Sequence, residues 1–205
     1  MRNEIKYLIK KSESSQILKK LNALKTFPAR FIYSIYFDTK EFKNFIDSEE
    51  GTVPRSKWRI RTYSNNRLIY NKVDSLFNKN FYIEKKETFS NHRSKKKILL
   101  KNISIEKTTN MINIMSKSKM EPNVMITYFR NYYILQNGNR ITLDSKINYF
   151  KIKSDLIYLF KNNIGLNVLE EKKSLDFEDN SVFSILGDKH SRLSKYCEAV
   201  RSIYK

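Results

Sequence analysis

Arg59 and Arg61 stand two residues apart in Lys57–Tyr63, where Lys57, Arg59 and Arg61 alternate with Trp58, Ile60 and Thr62. On an extended strand this alternation places both guanidinium forks on one face. Two adjacent forks suit a run of phosphates, because each can make charge-assisted bidentate contacts. Cations and carboxylates are interleaved elsewhere in the same manner: Glu4 lies between Arg2 and Lys6, Glu84 two before Lys86, and Glu170 two before Lys172. Carboxylates at this spacing can balance neighbouring cations, so that such a strand face is not simply a row of like charges.

The whole chain has the same bias. Its 205 residues carry 40 Lys and Arg against 21 Asp and Glu, a net charge of +19, and the pI is near 9.8. The expected partner is a polyanion, whether nucleic acid, anionic lipid or a phosphate-rich metabolite. With only Gly51, Gly138, Gly165 and Gly187, neither a Walker-type phosphate loop nor a G-x-G-x-x-G turn can be assembled. Phosphate must be held by side chains. His92, His190 and Cys197 are the only residues of their kinds, which excludes zinc clusters and an intrachain disulfide and leaves any metal to carboxylates.

At 40% hydrophobic and 13% aromatic residues, the chain can build a core, and its length suits one domain over residues 1–205. No apolar stretch approaches the roughly 20 residues that cross a bilayer. Met1–Lys11 carries charges throughout and no signal-type region. The expected location is cytoplasmic.

The elements that must position the basic residues are mostly strands. Strict alternation marks 2–9, 57–63 and 140–147, and β-branched and aromatic enrichment adds 31–38, 67–73, 80–87, 94–101, 124–134 and 166–173. Helical spacing appears in Ile17, Leu18, Leu21 and Leu24, in Phe42, Phe45 and Ile46, over 104–118, and from Leu193 to Tyr204. The predicted class is α+β, with antiparallel strands and amphipathic helices.

Which sheet face is inside stays open on pattern alone. A half-solvated sheet would put the charged parity in water. A β-barrel with a basic lumen would turn the apolar parity outward, under helices packed on the outside. An empty, dry lumen of cations would cost several kcal/mol per unpaired charge, so that arrangement needs water, the interleaved carboxylates and a polyanionic ligand.

Nine short motifs follow one another along nearly the whole chain. They are R-x-E-x-K-Y (Arg2 to Tyr7), S-I-Y-F-D-T (Ser34 to Thr39), R-x-K-x-R-I-R-x-Y (Arg55 to Tyr63), E-x-K (Glu84, Lys86), K-x-K (Lys95, Lys97), Y-x-R (Tyr128, Arg130), R-I-T-L-D (Arg140 to Asp144), V-L-E-x-K (Val168 to Lys172) and S-K-Y (Ser194 to Tyr196). In this order they resemble the VTC domain, the polyphosphate polymerase core of the vacuolar transporter chaperone complex, in the triphosphate tunnel superfamily that includes CYTH-type phosphatases.

The resemblance implies an antiparallel β-tunnel lined by basic side chains, which binds a nucleoside triphosphate and a divalent metal and extends polyphosphate. It assigns Arg59, Arg61, Lys86, Arg130 and Arg140 to the reacting phosphates, and Lys6, Lys95, Lys97, Arg192 and Lys195 to substrate binding. It makes Glu170 the carboxylate for Mn²⁺ or Mg²⁺, with Glu4 and Glu84 as weaker metal candidates. It also implies ATP or another triphosphate, polyphosphate and a membrane partner for export as partners. Lys97 replaces a common Arg, Arg192 replaces a Lys of some members, and Asn65 to Asn80 reads as an atypical long hairpin. Neither an SPX regulatory domain nor a membrane-spanning segment is expected.

Two other readings compete with polymerisation. A tunnel triphosphatase would need only water as acceptor, but the opening R-x-E-x-K departs from the E-x-E-x-K of CYTH-type phosphatases. A non-enzymatic module for polyphosphate or nucleic acid would use the charge and the aromatics, although no dedicated nucleic-acid motif is present.

Overall fold

In the computed structural model, residues 2–68, 72–76, 80–90, 92–153, 156–162, 165–174 and 181–204 are described. Ten strands form an antiparallel sheet: β1 (Arg2–Lys10), β2 (Leu24–Lys25), β3 (Arg30–Asp38), β4 (Arg55–Ser64), β5 (Phe81–Thr88), β6 (Arg93–Leu100), β7 (Glu121–Ile134), β8 (Arg140–Lys153), β9 (Leu156–Asn162) and β10 (Leu166–Ser174). The helices are α1 (Ser14–Lys20), α2 (Lys43–Glu50), α3 (Ile105–Ser116), α4 (Ser181–Leu186) and α5 (Lys195–Tyr204). The ladder order is β1-β10-β8-β7-β3-β4-β5-β6, with β2 on β7 and β9 on β8. This is the α+β, antiparallel architecture expected, and among the described residues the path of ladders is open, ending at β1 and β6.

The alternating segments are strands within one to six residues of the expected bounds. Differences arise where a single residue changes the backbone. Leu24 extends the apolar stripe of α1 in sequence, yet Asn22 adopts a left-handed φ of 48°. Asn tolerates that conformation and ends the helix, so Leu24 pairs with Ile134 as part of β2. The strand expected at 67–73 falls partly on residues 69–71, outside the described residues. Its described part contributes only a bridge from Lys72 to Leu156. The long hairpin read over Asn65 to Asn80 likewise includes 69–71 and 77–79, and its described part contains a short 3-10 turn at Asp74–Leu76.

The chain forms two compact units. The first comprises Met1–Phe31, Tyr128–Ile147 and Asn162–Leu193. Here β1, β10 and the start of β8 run side by side, with Lys6 opposite Glu170, Glu170 opposite Thr142, and Lys172 opposite Arg140. Directly opposed residues of an antiparallel pair share a face. One face therefore carries Glu4, Lys6, Glu170, Lys172, Arg140 and Asp144. The other carries Tyr7, Ile9, Ile141, Leu143 and Leu169, which pack with Ile17 and Leu21 from α1 and its C-terminal turn and with Val182 and Leu186 of α4. Helices cover the apolar parity, yet Glu170 and Asp144 on the charged parity are buried too.

The second unit comprises Ile32–Thr127, Asn148–Lys161 and Ser194–Lys205. In its β4–β5–β6 ladder, Lys57 faces Lys86, Arg59 faces Glu84 and Arg61 faces Tyr82, while Glu84 and Lys86 face Lys97 and Lys95. Trp58, Ile60, Phe81 and Ile83 on the opposite face are core residues. Asp38 at the end of β3 anchors the start of α2, accepting backbone N–H bonds from Thr39 (2.8 Å), Asn44 (2.8 Å) and Phe45 (3.0 Å).

Candidate functional site: two groups of buried charge

In the second unit the charged parity converges on Glu84, which is 1% exposed. Arg59 donates Nε to Glu84 Oε2 at 2.7 Å, and its Nη2 lies 2.7 Å from the same oxygen. Arg61 Nη1 approaches Oε2 at 3.7 Å, and Lys95 Nζ reaches Oε1 at 2.7 Å. The ladder dictates this grouping, because Glu84 sits opposite Arg59 on one side and Lys97 on the other. Burial by itself would raise the Glu84 carboxyl pKa. Arg59, Arg61 and Lys95 outweigh it and hold the group down at about 2, an anion at any ordinary pH.

Strand β3 supplies the next layer. Arg61 Nε donates to Ser34 Oγ at 3.0 Å, and Arg59 Nη1 donates to the Tyr36 hydroxyl at 2.9 Å. Tyr36 stacks on Tyr196 of α5 with centroids 4.9 Å apart, and Tyr196 donates a short hydrogen bond to Asp38. Lys57 Nζ donates to Ser194 Oγ at 2.9 Å, and burial lowers its pKa. Burial also lowers that of Lys95, against the pull of Glu84. Lys97 Nζ lies 3.4 Å from the centroid of the Tyr82 ring. Lys86, opposite Lys57, and Lys195, the first residue of α5, are both half-buried.

In the first unit Arg130 binds Asp144 with both arms, Nε to Oδ1 at 2.5 Å and Nη2 to Oδ2 at 2.7 Å. Although burial opposes the Arg130 charge, Asp144 more than restores it. Glu170 lies 3.3 Å from Lys172 Nζ and 4.0 Å from Arg130 Nη2, and Lys172 also approaches Glu4 at 3.8 Å. Lys6 donates from Nζ to the Leu193 carbonyl at 2.8 Å. Arg140 is exposed beside Lys172 on this face, and Arg192 is exposed in the segment before α5.

The named residues thus fall into two groups. Arg59, Arg61 and Lys95 meet on Glu84, with Lys86 and Lys97 on the same strand face and Lys195 at the start of α5. Lys6, Arg130, Arg140 and Glu170 share the charged side of the other unit. Sequence reasoning gave no role to Ser34, Tyr36, Asp38 or Asp144, although all four lie within the quoted motifs. The signal was their parity: Ser34, Tyr36 and Asp38 alternate with Tyr33, Ile35 and Phe37, as polar residues do on a face that is not simple core.

Among the described residues no three His, Cys, Asp or Glu side chains form a metal-holding group, and Glu84 is already engaged by three cations. Glu170, 8% exposed, presents the hard oxygen that suits Mg²⁺ or Mn²⁺ when phosphate oxygens and water complete the shell.

The model for the VTC domain family matches residues 1–204. The chain belongs to the VTC domain family. Comparison with curated proteins finds no match. Solved structures similar to this VTC domain include HpAC1 from Hippeastrum, described as having a dominant triphosphatase activity, at 15% identity with a TM-score of 0.59, covering 98% of this chain and 96% of that one. The PH1819 protein of Pyrococcus horikoshii OT3 is 13% identical with a TM-score of 0.56, over 97% of this chain and 96% of that one. A Pyrococcus furiosus protein is 16% identical with a TM-score of 0.56, over 96% and 99%. At these identities the likeness concerns the fold alone. No helix among the described residues of this VTC domain is long and apolar enough to cross a membrane.

Proposed function

We propose that this VTC domain is a metal-dependent polyphosphate polymerase that moves the terminal phosphoryl group of ATP onto a growing polyphosphate chain. The observation that carries the reading is the meeting of Arg59, Arg61 and Lys95 on one buried carboxylate in a VTC-family chain. Such a group holds several guanidinium and ammonium charges in place before any ligand arrives, and preorganised charge is what phosphoryl transfer requires.

In the step itself, a terminal oxygen of the polyphosphate attacks the γ-phosphorus. The bond from that phosphorus to the β–γ bridging oxygen breaks, ADP leaves with the electron pair, and the polymer is one phosphate longer. The acceptor oxygen is already anionic near neutral pH, since phosphate second ionisations lie at about 6. No general base is needed, and none is assigned. The resemblance to the family assigns Arg59, Arg61, Lys86, Arg130 and Arg140 to the reacting phosphates and Lys6, Lys95, Lys97, Arg192 and Lys195 to the rest of the chain. Glu170 would hold Mn²⁺ or Mg²⁺, which when bound neutralises charge on bridging and terminal phosphate oxygens. ATP and polyphosphate are the partners this assigns, with a membrane protein taking the product from a cytoplasmic enzyme.

A triphosphatase is the second reading, supported by the activity described for HpAC1. It differs in one demand: water must lose a proton that a phosphate acceptor lacks. Incubating the protein with ATP and Mn²⁺, with chain length on a gel followed beside free phosphate, separates the two. Growing chains that are lost in Glu170→Ala support the polymerase. Phosphate release without chain growth supports the triphosphatase, and retention of ATP with neither product reduces the protein to a binding module.

A further inference from the structure

Tyr36 lies in the second unit with its ring on Tyr196 and its hydroxyl on Arg59. The stacking, at an interplanar angle of 18°, fixes the ring, and the bond from Tyr196 to Asp38 fixes Tyr196 in turn. Asp38 is held by the backbone N–H groups at the start of α2. The Tyr36 oxygen is therefore placed by the fold, not by a ligand. Arg59 is gripped from two directions: Glu84 takes Nε and Nη2, and Tyr36 takes Nη1. A planar fork pinned at three nitrogens cannot swing about its last torsions.

We propose that Tyr36 is a positioning residue of the phosphate site, holding the Arg59 guanidinium in its binding orientation and exchanging its own proton with occupancy of the site by a triphosphate. The inference rests on the reading of Arg59 and Arg61 as phosphate ligands. Its electrostatic side follows from the groups that face Tyr36. Arg59, Arg61 and Lys57 approach from β4, with Glu84 of β5 behind the arginines. Tyr196 comes from α5 and Tyr149 from β8. Burial would raise the Tyr36 pKa, but the β4 cations outweigh it and pull the hydroxyl down to about 8. Once ionised, Tyr36 becomes a second internal anion for Arg59, and a triphosphate must compete with it. A bound triphosphate puts negative charge beside the same cations and favours the protonated phenol. Above about pH 8, binding is therefore coupled to uptake of one proton.

The test measures calorimetric binding of inorganic tripolyphosphate to the full chain from pH 7 to pH 10, together with near-ultraviolet tyrosinate absorbance. In the native protein the dissociation constant should rise about tenfold per pH unit above pH 8, and a tyrosinate signal present at pH 9 should disappear on saturation. The absorbance arm needs no variant. Tyr36→Phe keeps the ring against Tyr196, so it should fold, lack that signal, bind several-fold more weakly at pH 7 and lose the added pH slope. Tripolyphosphate binding with a tyrosinate signal that persists at saturation, or a slope unchanged in Tyr36→Phe, overturns this inference alone. Absence of binding at every pH overturns it together with the reading of the site.

Discussion

Arg130 and Asp144 form a two-armed ion pair with N–O distances of 2.5 and 2.7 Å, and Asp144 is fully buried. Both partners are out of water, so removing one strands the other. Asp144→Ala should lower stability by about 3–5 kcal/mol, the usual cost of breaking a buried pair, as read from the urea midpoint. Arg130→Lys should fall in between, since an ammonium keeps the charge but cannot make the fork. Equal stability of native protein and Asp144→Ala would show the pair to be dispensable.

This pair also marks how far the sequence could be read. Strands such as β1, β4 and β8 were legible because their alternation is strict and their polar parity is chemically distinct. The Y-x-R motif marked Arg130 as a candidate phosphate ligand but gave no hint of its partner Asp144, because partners across strands depend on register, and register is not written in one strand. Glu84 reads in sequence as a counterion for Lys86, two residues on. The ladder instead brings Arg59 and Lys95 to it from neighbouring strands. The short β2 and the six-residue α4 carry too few residues for a period to show, and β9, Leu156–Asn162, is apolar on both parities and so has no alternation at all.

The Glu84 carboxyl is depressed from 4.5 to about 2 in the folded protein. A depressed carboxyl adds stability above its unfolded pKa, and that stability drains away as pH falls towards the folded value. The contribution is about 3 kcal/mol at neutral pH. Glu84→Gln should therefore be less stable than native protein at pH 7, and the gap should close between about pH 4.5 and pH 2. Denaturant titrations across that window give the answer; a gap independent of pH would exclude a charge-based role.

Loss of Arg59 or Arg61 should act on turnover. Each replacement by Ala is expected to lower kcat/KM for the phosphoryl acceptor by about 10²–10³-fold, the scale seen when one preorganised charge donor is removed. Arg59→Lys should recover only part of this. Ordinary kinetics in both variants would move the reacting phosphates away from β4.

Asp38 and Tyr196 can be tested as a unit. Tyr196→Phe and Asp38→Asn each disturb the bond that ties α5 to β3. A double-mutant cycle should give a coupling of about 0.5–3 kcal/mol, the range for residues in direct contact. Strict additivity of the two changes in thermal or urea unfolding would mean that the Tyr196–Asp38 bond contributes nothing to holding α5 against β3.

The register of β4 has an evolutionary corollary. Trp58 and Ile60 fill one side of this strand and Arg59 and Arg61 the other, and both sides are shielded. One inserted or deleted residue between Arg55 and Ser64 would exchange the two sets, sending guanidinium groups into the core and an indole among the charges around Glu84. Length variation among homologues should therefore collect outside β4, for instance between Asn65 and Asn80, and be purged from within it.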